Sequence, residues 1–157
     1  MMNTAMQMME MRSKEMPLPG MTMSLMQDCI EACSACEQAC TMCAGSMGAG
    51  GSMGAGGSMG ADGSMGTDMA KCAAMCMDAA DMANTMMRVM MRPNGMHMES
   101  MLAMLQAMVV MSTACAEECM NHADMSDDCK MCAEVCRQCA VACETIMDSM
   151  EMAQNKS

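Results

Sequence analysis

The sequence predicts an all-α fold, an antiparallel four-helix bundle whose core is lined with cysteine. Two features of the pattern predict the helices: apolar or cysteine residues recur at steps of three and four in four segments, and proline or glycine separates most of those segments. The third observation is compositional, since the 157 residues include 14 Cys and 35 Met but no Phe, Tyr or Trp. Sulfur-containing side chains therefore have to fill the space that aromatic residues usually occupy.

The first part of the chain consists of an arm, a helix and a loop. Residues 1–20 form a Met-rich arm that we expect to be flexible and that ends in two prolines and Gly20. The first helix is predicted from about residue 22 to residue 44, a stretch without glycine or proline. Residues 45–68 are imperfect Gly-Ser-Met repeats, and their glycine content predicts a flexible loop.

Three further helices follow at shorter intervals. The second is predicted over residues 69–91 with Asp68 as its N-cap, the third over Met98–His122, and the fourth over Ser126–Met152 with Ser126 as its N-cap. Short connections between them favour antiparallel neighbours. The predicted organisation is an arm, a bundle that includes the loop, and a tail: residues 1–20, 21–152 and 153–157.

Charge and hydropathy argue against several classes of partner. The formal net charge is -11 at pH 7, whereas a nucleic-acid-binding surface needs clustered Lys and Arg. We expect no apolar run that approaches the roughly 20 residues of a membrane-spanning helix, and the first residues lack the order of a secretory signal. The expectation is a cytoplasmic protein, or an exported one whose leader has been removed. Association of copies through the faces of the bundle stays open.

The cysteines form one face on each predicted helix. Five lie on the first helix and five on the fourth, at steps of three and four residues and in mirrored order. If these two helices run antiparallel, pairing extends from Cys43 beside Cys129 to Cys29 beside Cys143. The second and third helices add two cysteines each, and His122 extends the face of the third.

The same faces continue beyond the cysteines and give the core two different ends. On the second and third helices the predicted continuation is Ala79, Ala83, Met86, Met90, Met101, Met104, Met108 and Met111. One end, below the loop, is here called the thiol end and contains Cys43, Cys72, Cys76, Cys119, His122 and Cys129. The opposite end is the methionine end and contains Met26, Met90, Met101, Met147 and Met150.

Three sulfur chemistries fit these faces poorly. Disulfides within a helix would be strained, because same-face neighbours have Cβ atoms about 5 to 6 Å apart and a disulfide needs about 3.5 to 4.5 Å. Structural zinc needs four ligands that close around it, and a uniform row of thiols predicts no separate group of four. Iron–sulfur clusters are usually wrapped by a loop in which proline follows cysteine, a pattern that is missing here.

Monovalent copper fits better, because thiolate and thioether ligands select Cu(I) and two sulfurs suffice for each ion. With metal–sulfur bonds of about 2.3 Å, a near-linear bridge spans about 4.5 Å, which neighbouring thiols can supply. Two unshared thiolates per copper would leave buried negative charge, so shared thiolates and heavy loading are favoured. The predicted cargo is multiple Cu(I) ions. The thiols of the four cysteine faces are therefore suited to hold them.

The two histidines each have two interpretations. His97 lies in a turn between two methionines, so it is either an exposed turn residue or an assisting copper ligand at the methionine end. His122 follows a cysteine face, so it is either a ligand or the cap of a helix end.

The cysteine pattern also resembles a known family. The first helix carries C-x3-C-x2-C-x3-C-x2-C, the fourth carries the reversed pattern, and Cys115-x3-Cys119-x2-His122 leads into Cys129-x2-Cys132. Over residues 22–150 the chain resembles the bacterial copper storage proteins. The resemblance implies a Cys-lined four-helix bundle that stores Cu(I), with thiol ligands and with His and Met assisting at an open end. Carried over to this sequence, the predicted ligands are Cys29, Cys33, Cys36, Cys40, Cys43, Cys72, Cys76, Cys115, Cys119, His122, Cys129, Cys132, Cys136, Cys139 and Cys143.

Storage and detoxification of copper is therefore the leading prediction. A copper chaperone, or a general thiol-based protein that sequesters soft metals, is the alternative. No enzyme is predicted, because the sequence offers no catalytic constellation of serine, histidine and carboxylate. We further hypothesise that copper enters at the thiol end and that the four loop methionines collect it.

Overall fold

The computed structural model describes residues 4–12, 17–54 and 64–155, and the regular secondary structure of this part of the chain is helical throughout. Its helices are α1 Thr4–Arg12, α2 Met23–Gly54, α3 Ser64–Met90, α4 Met98–Met120 and α5 Asp127–Asn155. The longest four of them pack in a ring, α2 against α3, α3 against α4, α4 against α5 and α5 against α2. The predicted four-helix bundle is confirmed.

Side chains just before α2 and α5 cap these helices. The Leu25 N–H donates to Thr22 Oγ1 at 3.3 Å, and the Cys129 N–H donates to Ser126 Oγ at 3.2 Å. Each such cap satisfies a backbone donor that has no partner within the helix and contributes about 1 kcal/mol. The predicted N-cap at Ser126 is confirmed.

The helices on either side of the glycine-rich repeats are longer than predicted. α2 continues to Gly54, and α3 begins at Ser64, so Asp68 lies inside a helix and does not cap it. Extension of an existing helix adds one backbone hydrogen bond per residue without a new nucleus, and this opposes the roughly 1 kcal/mol penalty of each glycine. Residues 45–54 and 64–68, which were predicted to belong to the loop, are therefore helical. The side chains of residues 47–68, including the loop methionines, lie outside the described part of the chain.

The arm contains one helix, α1, and ends in a turn that packs on α5. Gly20 has φ +84, and a Cβ at this position would clash with the backbone of Ser149 and Met150. Glycine is required here for both reasons. The Ser149 hydroxyl donates to the Gly20 carbonyl oxygen at 2.8 Å, and Met21 beyond the turn is fully buried. This turn covers the methionine end of the core.

The core has the two predicted ends, with one change on α4. All 14 cysteines are at most 1% exposed, and the methionines of the methionine end are buried as well. The buried face of α4 consists of Met101, Leu105, Met108, Ser112, Cys115, Ala116 and Cys119. Met104 and Met111, predicted on this face, are only half-buried. With 3.6 residues per turn, two adjacent rows satisfy the same spacing, and packing against the neighbouring helices chooses between them.

By length and composition, α4 is also able to span a membrane, since its most apolar 18-residue window has a mean hydropathy of 1.3. The expectation that no apolar run approaches spanning length was therefore wrong. Met, Ala, Val, Leu and Cys dominate α4, whereas its acidic residues are confined to its two ends. The core helix of a soluble protein passes the same test, and in this structure the buried face of α4 lines the core of the bundle.

Candidate metal centre

The thiols of α2 and α5 lie opposite one another in the predicted antiparallel register. The Sγ–Sγ distances are 3.8 Å for Cys29–Cys143, 3.8 Å for Cys33–Cys139, 3.9 Å for Cys36–Cys136, 3.5 Å for Cys40–Cys132 and 3.6 Å for Cys43–Cys129. A disulfide bond requires about 2.05 Å, and all 14 cysteines are free thiols. The predicted register is confirmed.

The thiols of α3 and α4 complete the network from the other side. Cys76 Sγ lies 3.8 Å from Cys115 Sγ and 3.6 Å from Cys119 Sγ. Two contacts join these helices to the row between α2 and α5: Cys115 lies 3.9 Å from Cys40, and Cys76 lies 3.9 Å from Cys132. Sulfur atoms from all four helices are therefore in contact at the same level of the bundle.

These contacts produce two groups of four thiols, each with all sulfur atoms within 4.8 Å of one another. We call the first the central tetrad, which consists of Cys40, Cys76, Cys115 and Cys132. We call the second the outer tetrad, which consists of Cys43, Cys76, Cys119 and Cys132. The two groups are not separate, as expected, since they share Cys76 and Cys132. Spacing along one helix could not reveal, however, that four different helices bring thiols to one level.

A mixed group of ligands lies at the thiol end. Potential ligand atoms of Cys72, Glu118 and His122 are within 4.8 Å of one another. His122 Nε2 is 3.3 Å from a Glu118 carboxylate oxygen, and the other oxygen is 3.6 Å from Lys71 Nζ. With Nε2–H donating to Glu118, the lone pair of the ring lies on Nδ1, which is buried and has no partner among the described residues.

Glu118 was missed by the sequence analysis, although it precedes His122 by four residues and so shares its helix face. The side chain of His122 bonds to this carboxylate, and Asn121 is the C-cap of α4. The helix-cap interpretation of His122 is therefore not supported. Its ligand role stays a prediction.

His97 acts as the N-cap of α4. Its Nδ1 accepts a hydrogen bond from the Ser100 N–H at 3.3 Å and is 2.8 Å from Ser100 Oγ. A nitrogen that accepts these bonds has no lone pair left for a metal. The geometry supports a structural role in the turn over copper ligation at the methionine end.

Ser112 is a second residue that the sequence analysis missed. It is fully buried on the cysteine face of α4, close enough to Cys139 that its hydroxyl helps to lower the pKa of that thiol. Its position three residues before Cys115 and four after Met108 was the available signal. On the buried face of α4, Ser112 therefore lies between the cysteines on one side and the methionine and leucine residues on the other.

Hydrogen bonds between thiols shift the pKa values of different cysteines in opposite directions. The pKa of Cys29 is lowered to about 5, chiefly by the hydrogen bond from Cys143. The pKa of Cys132 is also lowered, with the hydrogen bond from Cys115 as the largest cause. The pKa of Cys76 is raised, because its hydrogen bonds to Cys115 and other thiols keep it protonated and burial adds to the effect. Any metal that binds here has to displace protons from this network.

The arrangement is suited to ions that prefer sulfur. Adjacent sulfur atoms lie 3.4 to 3.9 Å apart, and small rotamer changes extend this to the roughly 4.5 Å of a near-linear S–metal–S bridge. The core also excludes water, since its cysteines are buried. Such a site favours soft ions with low coordination numbers over hard ions that need oxygen ligands.

Comparisons with known proteins agree with this chemistry. A family profile described as copper storage protein matches residues 22–148. A solved structure of the copper storage protein Ccsp from Streptomyces lividans, loaded with 10 copper equivalents, is 30% identical with a TM-score of 0.77, covering 93% of this chain and 99% of that one. A second structure, of a cytosolic copper storage protein from the same organism with five coppers, is 34% identical with a TM-score of 0.67, covering 80% and 93%.

No curated protein sequence is detectably similar to the chain. The family profile nevertheless spans most of the sequence, including all four helical segments that carry cysteine. The structural neighbours share the bundle over nearly their whole length. The chain belongs to the copper storage protein family.

Proposed function

We propose that the reduced protein stores multiple Cu(I) ions inside the bundle and thereby protects against copper toxicity. The observation that carries the proposal is the set of 14 buried free thiols, which form pairs and larger groups with Sγ–Sγ distances of 3.4 to 3.9 Å, several of them within 4.8 Å of the next group. A copper ion bound by two of these sulfurs lies close to the next pair, so the sites fill as a chain of shared thiolates. Family membership and the copper-loaded neighbours support the same function.

The proposed ligands are the 14 cysteines together with His122. Cysteine supplies the anionic sulfur that Cu(I) prefers, and the free Nδ1 of His122 supplies a neutral ligand at the thiol end. Each copper that is held by two unshared thiolates leaves one negative charge in a buried core, which is costly. Sharing thiolates brings the ratio towards one copper per thiol and removes that charge, so we expect loading well beyond a single ion.

A copper chaperone is the second candidate in the binding class. A chaperone needs a site that a partner protein can reach, whereas every cysteine here is at most 1% exposed. Among the ligand groups in the described part of the chain, that of Cys72, Glu118 and His122 is the one that includes a ligand with appreciable exposure, since Glu118 is 12% exposed. Burial of the thiols therefore favours storage of copper over its transfer to a partner protein. General sequestration of soft metals by the same thiols is the remaining alternative, and a measurement of metal selectivity tests it.

We propose a non-catalytic, cytoplasmic protein with copper ions as its partners and with no nucleic-acid or membrane partner. One structural neighbour is described as cytosolic, and the net charge of -11 opposes binding to phosphate backbones. A free thiol network also suits a reducing compartment. An exported protein whose leader has been removed, and association of copies through bundle faces, stay open to direct measurement.

A titration of the reduced full-length protein with Cu(I), in competition with a Cu(I) chelator of known affinity, tests the proposal. We expect well over about five ions per chain, because two sulfurs suffice for each copper and neighbouring ions share them. The double variant Cys36→Ser and Cys136→Ser should keep its helical circular dichroism and lose about one or two ions. The matched control is Met131→Leu, which removes an exposed thioether beside Cys132 and should leave capacity unchanged.

Binding of only one or two ions by the wild type would contradict storage and favour a chaperone. Equal capacity in the double variant and the control would contradict the ligand role of the paired thiols. Titration with Zn(II) and Cd(II) under the same conditions separates copper storage from general soft-metal sequestration, which predicts similar capacity for all three ions.

A further inference from the structure

Like the outer tetrad, the central tetrad takes one sulfur from each helix of the bundle, which distinguishes both groups from the rest of the thiol network. Cys40 comes from α2, Cys76 from α3, Cys115 from α4 and Cys132 from α5. All four are fully buried. The four sulfur atoms therefore surround a point on the axis of the bundle, whereas the other thiol pairs between α2 and α5 lie to one side of it.

The distances within the central tetrad match a tetrahedral metal site before any metal is bound. Four of its edges are 3.9 Å for Cys40–Cys115, 3.5 Å for Cys40–Cys132, 3.8 Å for Cys76–Cys115 and 3.9 Å for Cys76–Cys132. The remaining two edges are at most 4.8 Å. A tetrahedron with metal–sulfur bonds of about 2.3 Å has edges of about 3.8 Å. The sulfur atoms thus have the spacing of a zinc tetrathiolate site.

Four thiolates around a divalent ion carry a net charge of -2, which is costly in a buried core unless hydrogen bonds offset it. Thiols outside the tetrad lie within hydrogen-bonding distance of its sulfur atoms. Cys136 Sγ is 3.4 Å from Cys40 Sγ, and Cys119 Sγ is 3.6 Å from Cys76 Sγ. These neighbours act as the outer hydrogen-bonding shell that metal sites commonly require.

The outer tetrad does not provide a second independent site. It shares Cys76 and Cys132 with the central tetrad, so an ion there would have to bind the same two thiolates as the first ion. A single ion that does not share its ligands can occupy only one of the two groups. The closer agreement of the central tetrad with the required edge length favours that group.

We propose that the reduced, copper-free protein binds one Zn2+ ion in the central tetrad, with Cys40, Cys76, Cys115 and Cys132 as its ligands. The ion cross-links all four helices at one level and stabilises the bundle by mass action, because the unfolded chain has no preformed site. Copper arriving later replaces it, since thiolates select the softer ion. This proposal does not depend on copper storage, which the Cu(I) titration tests separately.

Co(II) titration of the copper-free, reduced full-length protein tests the site, because tetrahedral cobalt thiolates have intense visible bands and Co(II) takes zinc sites. We expect the bands to reach full intensity at one equivalent, and one equivalent of Zn2+ to abolish them. The same equivalent should raise the thermal unfolding temperature.

Two variants on adjacent turns of α4 identify the ligands. Cys115→Ser breaks the central tetrad and leaves the outer one intact, whereas Cys119→Ser does the opposite. We expect Cys115→Ser to weaken Zn2+ binding by more than about 100-fold, since loss of a mere outer-shell partner already costs 10- to 100-fold. Cys119→Ser should keep the tetrahedral spectrum, and Cys143→Ser, far from the tetrad, should be unchanged.

Absence of a break at one equivalent in the wild type would overturn the proposal, and so would a spectrum without tetrahedral thiolate bands. The assignment to the central tetrad would be overturned if folded Cys119→Ser lost the site while folded Cys115→Ser kept it. If Cys115→Ser fails to fold by circular dichroism, the wild-type stoichiometry and the Cys119→Ser spectrum still decide the outcome.

Discussion

The thiols near the thiol end are bounded by four helices, whereas those near the methionine end are paired across two. The four-helix segment consists of Cys40, Cys43, Cys72, Cys76, Cys115, Cys119, Cys129 and Cys132. The two-helix segment consists of Cys29, Cys33, Cys139 and Cys143. Farther along their buried faces, α3 and α4 carry Ala79, Ala83, Ser112 and Met108 in place of cysteine.

This difference indicates that the number of helices that supply thiols sets the size of the thiol groups. In the two-helix segment, the thiols of α2 and α5 face one another, and the group within 4.8 Å is the triad of Cys29, Cys33 and Cys143. In the four-helix segment, sulfurs meet from all sides and form groups of four. We therefore expect metal ions to have lower coordination numbers in the two-helix segment than in the four-helix segment.

The largest expected effect concerns the protons of the thiol network. Many core thiols have a pKa raised above the ordinary value of 9.0 by hydrogen bonds to other thiols and by burial: Cys33, Cys40, Cys43, Cys72, Cys76, Cys115, Cys136 and Cys143. These thiols stay protonated in the folded state above pH 9, whereas the unfolded chain loses those protons. The unfolded state then binds fewer protons, so the free energy of unfolding falls as pH rises above 9.

At a pH well above 9, each proton that the folded state retains and the unfolded state loses lowers the free energy of unfolding by about 1.4 kcal/mol per pH unit. Urea unfolding of the reduced, metal-free protein between pH 9 and 10.5 measures the slope. Cys76→Ala, which removes one raised thiol, should give a shallower slope than the wild type by about one proton. A free energy of unfolding that does not change over this range would contradict the raised pKa values.

The second prediction separates the methionine end from the thiols. Leu105 is fully buried there, and Leu105→Ala should lower the free energy of unfolding of the metal-free protein by about 2 to 5 kcal/mol through lost burial and a residual cavity. Copper capacity should stay the same, because no thiol is removed. The control is Val110→Ala on the same helix, where a side chain that is 59% exposed should change stability by less than about 0.5 kcal/mol. A fall in capacity would show that the two ends are not independent.

The smallest expected effect lies at the boundary between the two segments. Ser112→Ala removes a buried hydroxyl that interacts with the Cys139 thiol and should change the free energy of unfolding by at most about 1 kcal/mol, with unchanged copper capacity. Ser112→Cys instead extends the thiol face of α4 towards the two-helix segment and should raise capacity by about one ion. Equal capacity in the two variants would show that a third helix does not create a copper site at this level.

Spacing along each helix was enough to predict much of the fold. The cysteine rows of α2 and α5 have mirrored steps, and only an antiparallel register makes all five pairs coincide, as the distances from Cys29–Cys143 to Cys43–Cys129 confirm. The N-cap at Ser126 was predictable because capping depends on residues adjacent in sequence. The ends of α2 and α3 in the glycine-rich repeats were not predictable in this way, since helix extension competes closely with the cost of glycine.

The sequence by itself determined the helical faces, the antiparallel pairing of thiols and their preference for soft metal ions, because these follow from the 3.6-residue period and from the chemistry of sulfur. Only the tertiary structure decided which thiols form groups of four, that Leu105 and Ser112 face the core, and that Glu118 holds His122. These features depend on the rotation and height of each helix relative to the other three, which packing of the whole core sets and which no single helical pattern contains.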